Sequence, residues 1–350
     1  MPPKFDVTPE QEGSVLSFFK RQLFYTPASV TGVSLAGKTA LVTGSNTGVG
    51  LEISRQFLDL GVTKLILAVR SQAKGEAAVT NLLHGRNLPE TTIEVWNLDL
   101  DSYDSIVNFA ERTKTLHRLD IVVLNAGIVH TKNVLSKNTN HDETIQVNFL
   151  STALLMVLLL PVAKSKRANQ AEPTRITMTS SDVASWTGFK ERSNDPLLPS
   201  FDTTEKADPT DRMMVSKLLG QFFLAELARQ VPPSVAIINC ATPGMVHGTD
   251  FNREMDQTMG GKIFRFVVLR RLGYTAAVGA RHITNAAVNH GEASHGQYLS
   301  QQKIKPMAPI IYTAEGKVIS DRLWKETMKE FSFANAEGII AAAVSNEDKP

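Results

Sequence analysis

A chain of 350 residues, 42% of them hydrophobic and 21% charged, can bury a large core and has the length that α/β folds often fill as one domain. Lys and Arg number 37 against 35 Asp and Glu, so the net charge of +2 lacks the electrostatic footprint of a nucleic-acid binder. The single cysteine, Cys240, excludes an intramolecular disulfide and lies in the apolar run Val235 to Ala241, where a buried thiol is expected.

The first element is an N-terminal arm, residues 1–36. Met1 to Gly13 is polar and lacks the apolar core of a signal peptide. Val15 to Phe24 has the apolar spacing of a short amphipathic helix packed against the domain, with contact at a membrane surface as the alternative. From Lys38, apolar runs of strand length alternate with stretches of helical period, the pattern of stacked βαβ units. The expected strands are Thr39 to Thr43, Lys64 to Arg70, Thr92 to Leu98, Asp120 to Asn125, Arg175 to Thr179, Val235 to Ala241 and Gln297 to Leu299. Helices are expected from Gly50 to Leu60, closed by Gly61, and from Ser102 to Leu116, with Asp101 or Ser102 as cap. Most strands are continuously apolar, which predicts a doubly wound parallel sheet with helices on both faces. The longest apolar run, Thr152 to Pro161, falls short of the roughly 20 residues that cross a bilayer and reads as a buried helix. No transmembrane segment is therefore expected, and a cytoplasmic location is the default. Residues 182–212, around Asn194 to Pro199, form a long loop excursion, and residues 331–350 read as a tail with a frayed end after Ser345. Residues 37–330 then make a single catalytic domain with no internal repeat, and no metal is assigned to it.

The glycine-rich stretch Thr43-Gly44-Ser45-Asn46-Thr47-Gly48-Val49-Gly50 falls between an expected strand and an expected helix. Glycines there let the backbone turn tightly and approach a pyrophosphate at the positive end of the helix. A structural turn is the alternative. The second strand ends Ala68-Val69-Arg70-Ser71, with no Asp or Glu to accept from an adenosine 2′-hydroxyl. Arg70, with Asn46 and Lys74 beside it, favours a 2′-phosphate and hence NADP(H), a solvated arginine being the alternative.

From about Gly37 to Glu330 these residues resemble the short-chain dehydrogenase/reductase family, whose members have the Rossmann fold. The resemblance extends to Asn97-Leu98-Asp99-Leu100, where the family's aspartate contacts adenine. It includes Leu124-Asn125-Ala126-Gly127, whose asparagine and glycine line the cofactor. It also includes Pro243-Gly244, after which positions corresponding to Val246 and Thr249 meet the nicotinamide amide. Gly279-Ala280-Arg281-His282, Ser294 to Leu299 and Trp324-Lys325-Glu326 resemble the retinol-dehydrogenase-like branch, particularly fungal members used in secondary metabolism. That branch implies alcohol–carbonyl interconversion on polyketide, terpenoid or alkaloid intermediates.

The same resemblance implies a catalytic asparagine at Asn148, a serine at Ser181 with Ser180 as the second choice, and a lysine at Lys217. The tyrosine expected four residues before the lysine is absent, and the position holds Met213, whose thioether cannot donate a proton. The tyrosines, Tyr25, Tyr103, Tyr274, Tyr298 and Tyr312, lie elsewhere, Tyr274 being the nearest to a stand-in. Ser181, Lys217, a water, His130 and His247 are further proton-relay candidates. The segment 245–274 is expected to form a substrate lid, with residues 260–272 alternatively making an oligomer contact. An NADP(H)-dependent oxidoreductase acting on a bulky, apolar small molecule is the leading expectation. The alternatives are a non-redox isomerase, dehydratase or cyclase with a structural cofactor, or a catalytically silent member. Homo-oligomer formation stays open.

Overall fold

The computed structural model describes residues 5–89, 92–203, 207–249, 251, 254 and 270–345. Ten strands occur among them: β1 (Thr39–Thr43), β2 (Lys64–Val69), β3 (Ile93–Asn97), β4 (Ile121–Leu124), β5 (Thr174–Thr179), β6 (Ala236–Ala241), β7 (Val246–His247), β8 (Tyr274–Thr275), β9 (Tyr298–Ser300) and β10 (Lys303–Lys305). Eight form one sheet in the order β10-β9-β6-β5-β4-β1-β2-β3, and β7 pairs with β8 separately. All neighbours in the large sheet are parallel except β10, which runs antiparallel to β9. The doubly wound parallel architecture expected from the sequence is therefore present.

β1, β4 and β6 are buried along their whole lengths, which is why they are continuously apolar. Successive side chains serve opposite layers: Leu41 packs with Ile66, Val122 and Leu154, whereas Ala40 and Val42 pack with Ile53, Phe57 and Ile283. The strand order reverses at β1, where Leu41 is in register with Ile66 of β2 on one side and Val122 of β4 on the other. Such a reversal opens a crevice outside the carboxyl ends of the strands, where ligands of these sheets bind.

The apolar run Thr152 to Pro161 is the interior of helix Ser151–Lys166, which continues from Glu143–Ile145 through a π turn at Gln146–Leu150. The whole helical stretch Glu143–Asn169 spans 27 residues, longer than the run alone suggested, and passes the length and composition test for a membrane span. Its most apolar window is nevertheless 89% buried inside the fold.

The arm forms helices Pro9–Gly13, with a Thr8–Gln11 capping box, and Val15–Phe24, capped by Ser14. The second helix turns Phe18 and Gln22 inward and leaves Leu16 and Phe24 over 80% exposed. Within the expected excursion, Leu197, Leu198 and Phe201 are buried, and the amides of Leu197 and Leu198 donate to the Glu326 carboxylate at 2.8 and 2.7 Å. Helix Pro209–Gln230 begins inside that excursion, capped by Asp208. The segment read as a tail is folded as far as Ser345: Phe331 is fully buried, and helix Ala336–Val344 lies against Ser151–Lys166. Lys164 donates to the last carbonyls of that helix, Ala342 and Ala343, at 2.7 and 3.1 Å. The frayed end expected beyond Ser345 lies outside the described residues.

Candidate functional site

β1 ends at Thr43 and the next helix begins at Gly48, so the glycine turn occupies the crevice where the strand order reverses. Gly44 adopts φ +63°, donates to the Ala68 carbonyl at 2.9 Å, and would place a Cβ only 2.9 Å from Ala126 Cα. A Cβ on Gly50 would meet the Gly44 carbonyl oxygen at 2.3 Å, so the helix can approach the strand end only with glycine there. Thr47 stands at the N-cap without a side-chain cap bond, and Ser45 Oγ is buried with no partner among the described residues. Uncapped N–H groups at a helix start and an unsatisfied hydroxyl are the donors that an anionic group can occupy. Asn46 and Val49 are half-buried in the same turn.

A hydrogen-bonded path leads inward from this turn. Thr43 Oγ1 accepts from the amides of Asn125 and Ala126 at 2.9 and 3.0 Å, joining the ends of β1 and β4. Thr179 Oγ1 donates to Asn125 Oδ1 at 3.4 Å, and the Thr179 carbonyl accepts from Lys217 Nζ at 3.1 Å. Burial lowers the Lys217 ammonium to about 8, because the charged form loses water. Gly127 sits beside it: a Cβ there would lie 3.1 Å from Asn148 Oδ1 and 3.5 Å from Lys217 Nζ.

Asn148 occupies the π turn, a distortion that side-chain periodicity does not reveal. Its Oδ1 accepts from the Ile128 amide at 2.8 Å, and its Nδ2 donates to the Ile128 carbonyl and Ser216 Oγ at 2.9 and 3.0 Å. Ser216 Oγ donates in turn to the Met213 carbonyl at 2.7 Å. Met213 is half-buried one turn before Lys217. Ser180 is buried and its hydroxyl accepts from Gln221 at 3.1 Å, whereas Ser181 is half-buried at the start of a 3-10 turn, and among the described residues its hydroxyl takes a long bond of 3.4 Å from the Val183 amide. Cys240 is fully buried and pushed up to about 12 by desolvation, so it offers no thiolate.

Arg70 is exposed at the end of β2, where its carbonyl accepts from Asn97 Nδ2 at 2.9 Å. Asp99 follows β3, its amide held by Ser105 Oγ at 2.9 Å. Thr249 lies against the glycine turn, 3.1 Å from where a Gly48 Cβ would stand, and Val246 pairs with Tyr274. The structure thus brings Gly44, Gly48, Gly50, Asn125, Gly127, Asn148, Lys217 and Thr249 into one contiguous group, with Arg70 and Asp99 at neighbouring strand ends. Of the expected lid, residues 250, 252, 253 and 255–269 lie outside the described residues.

Sequence reasoning assigned no hydroxyl role to Thr43 and no place in the site to Thr179 or Ser216. Thr43 opens the glycine stretch and Ser216 directly precedes Lys217, but their roles appear only once β1 pairs with β4 and Asn148 is brought against helix Pro209–Gln230. Among the proposed stand-ins for the missing tyrosine, Tyr274 directs its hydroxyl to the carbonyls of Tyr25 and Arg21 in the arm. Tyr25 donates to the Gln301 carbonyl and Tyr103 to Glu330, the Tyr312 hydroxyl oxygen accepts from the Met307 amide at 2.9 Å, and Tyr298 is buried. His130 lies 3.1 Å from Glu143 and 2.9 Å from Glu254, and these carboxylates, Glu143 foremost, raise it to about 9. It is an engaged imidazolium near neutral pH. His247 is half-buried in β7.

His141 is similarly raised to about 9: burial opposes its charge, but Asp202 and Glu330 outweigh that penalty. Groups whose folded pKa exceeds the unfolded value stabilise fully below about 6.5, and this contribution is lost as pH rises through about 9. Lys217 works oppositely, favouring the folded state as pH rises from about 8 towards 10.5. The expected melting temperature therefore falls by several degrees between pH 7 and 10 in the parent chain. A His130→Gln/His141→Gln chain should show a much smaller fall in a thermal melt series, the remainder coming from Cys240, whose raised thiol loses stability above about pH 9, and an equal fall in both chains would refute the assignment.

The family model for short chain dehydrogenases matches residues 38–190. The chain is 47% identical over 342 residues to the short-chain dehydrogenase fogG of Aspergillus ruber, covering 96% of this chain and 97% of that one. It is 41% identical over 345 residues to the short chain dehydrogenase/reductase mfmJ of Annulohypoxylon moriforme, with 95% and 97% covered. Among solved structures, a 3-oxoacyl (acyl-carrier-protein) reductase from Agrobacterium tumefaciens C58 with NADP bound aligns with a TM-score of 0.55 at 19% identity, over 76% of this chain and 93% of that one. A 3-ketoacyl-(acyl-carrier-protein) reductase from Brucella melitensis complexed with NADH gives 0.56 at 18% identity, over 76% and 97%.

Proposed function

Because the chain belongs to the short-chain dehydrogenase family, a family of oxidoreductases, we propose that it interconverts a carbonyl and an alcohol with NADP(H), on a bulky apolar metabolite of fungal secondary metabolism. The observation that carries this reading is the unbroken path from the glycine turn through Thr43, Asn125 and Thr179 to the buried Lys217. Relatives of the same fold carry NADP or NADH, and the uncapped helix start with the buried Ser45 hydroxyl fits a pyrophosphate.

In this assignment the backbone from Gly44 to Gly50, with Asn46, Thr47 and Val49, holds the phosphates, and Asp99 holds adenine. Asn125 and Gly127 line the crevice, Val246 and Thr249 hold the nicotinamide amide, and Lys217 holds the ribose. The bound dinucleotide would supply the hydride for reduction of a carbonyl, or accept it in the reverse direction. Ser181 donates a hydrogen bond to the carbonyl oxygen, stabilising the alkoxide as negative charge develops there. A proton must then reach that oxygen. Lys217, brought to about 8, is the chain's own group matched to this task, since proton transfer is most efficient when the donor's pKa lies near the working pH. Asn148 fixes the Ile128 backbone beside Gly127 and so sets the floor against which the lysine stands.

The choice of NADP(H) over NAD(H) rests on Arg70, exposed at the end of β2. Arg70→Ala should weaken NADPH binding by roughly ten-fold, the loss of one charge-assisted contact, and leave NADH binding within two-fold. Fluorescence titration of both nucleotides checks this, and parallel weakening of the two would assign Arg70 elsewhere.

The function itself is tested by incubating purified protein with NADPH and a panel of hydrophobic aldehydes and ketones. Oxidation of the nucleotide matched one-for-one by alcohol is the expected result. Met213 supports a second reading, a non-redox catalyst on the same fold, because it places a thioether where an acid is expected. Product that forms equally with reduced, oxidised or no nucleotide would establish that reading instead.

A further inference from the structure

The arm helix Val15–Phe24 buries one polar residue, Gln22, and both ends of its amide are hydrogen-bonded. Gln22 is 6% exposed. Its Nε2 donates to the carbonyls of Met245 and Leu272 at 3.2 and 2.9 Å, while its Oε1 accepts from the Met245 amide at 3.0 Å. One amide thereby grips both backbone groups of Met245 and ties them to the approach to β8. The fit is close: Gly244 has φ +72°, and a Cβ there would stand 2.9 Å from Gln22 Oε1. The neighbouring Arg21 anchors the same helix by ion pairs to Glu12 and Asp182 at 3.2 and 3.0 Å, and Phe18 meets Trp186 edge-on at 4.9 Å. The helix is thus fixed independently of Gln22, which leaves the glutamine free to serve the segment it holds.

That segment leads to the cofactor. Met245 precedes Val246 of β7, and two residues after β7 the chain reaches Thr249, which touches the glycine turn at Gly48. We infer that Gln22 is a positioning residue for the nicotinamide half of the cofactor, acting from the N-terminal arm through Met245 on Val246 and Thr249. This inference rests on the cofactor reading given above. Arg70 and Asp99, which would flank the adenine half at the ends of β2 and β3, share no hydrogen bond or ion pair with the arm among the described residues.

The two halves can be assayed apart without a substrate. Full-length protein and Gln22→Met, which keeps the side chain's length and removes all three hydrogen bonds, are titrated with NADPH and with adenosine 2′,5′-bisphosphate, the adenine half alone. Thermal melts accompany both. NADPH affinity should fall about five- to ten-fold while the bisphosphate changes less than two-fold. Gln22→Glu, which retains the bond from the Met245 amide and loses the two donated ones, should lie between parent and Gln22→Met in the ratio of the two affinities. Equal weakening of both ligands, or no change in either, overturns the inference by assigning Gln22 to the fold alone. Failure of the parent protein to bind either ligand overturns the cofactor reading and this inference with it.

Discussion

Replacing Lys217 with methionine is expected to reduce NADPH-dependent turnover by at least 10³-fold while leaving the protein folded. Under the proposed function two roles are lost together: the ammonium assigned to the ribose and the proton source assigned to compensate for the missing tyrosine. General acid catalysis contributes about 10²- to 10⁴-fold, and the lost charged hydrogen bond adds weaker nucleotide binding. The fold should tolerate the change, because burying the lysine charge carries a desolvation penalty that methionine does not. The pH profile separates the two functions. In the parent chain the reduction rate should decline as pH rises through about 8, because the deprotonated amine cannot supply the proton. The residual rate of Lys217→Met should be flat across that range. A declining limb that survives the substitution would identify another group as the acid.

Installing the absent hydroxyl gives the second large effect. In Met213→Tyr the phenol is placed one helical turn before Lys217, and reduction is expected to accelerate by about 10²-fold or more. Met213 is half-buried rather than enclosed, so a larger side chain has an outlet at that position. The buried ammonium next to it would favour the phenolate and bring the tyrosine's pKa down towards neutrality. Steady-state kinetics with a carbonyl substrate, alongside unchanged NADPH affinity, would show the gain in kcat. A variant that binds NADPH as before yet turns over no faster would argue that the chain's chemistry does not run through proton delivery at this position, and would favour the non-redox reading.

These arguments depend on features that were unequally legible in the sequence. The parallel strands were readable because burial on both faces makes them continuously apolar, and β1 begins and ends where its five-residue run does. β10 was not. It follows β9 through Gln301 and Gln302, which take φ of +52° and +58°, a hairpin turn normally signalled by Asn or Gly, and neither residue is present. The helix Ala336–Val344 carries no such signal, because its burial depends on a partner helix nearly two hundred residues earlier, a contact that local periodicity cannot encode. The glycine turn carried its own signal in its spacing between strand and helix. The serine pair carried only part of one: Ser180 and Ser181 are equivalent as letters, and only the bond from Gln221 shows that Ser180 is occupied. Gln22 gave no signal, since a glutamine in an amphipathic arm reads as solvated until the backbone it grips is seen.

The central claim is that the turn from Gly44 to Gly50 binds a nicotinamide dinucleotide and that NADP(H) is the preferred one. Titrating NADPH, and separately NADH, into the purified full-length protein while following nicotinamide fluorescence tests it most directly. Saturable binding of both, tighter for NADPH by about ten-fold, is the result this account predicts. Absence of saturable binding by either nucleotide would contradict it.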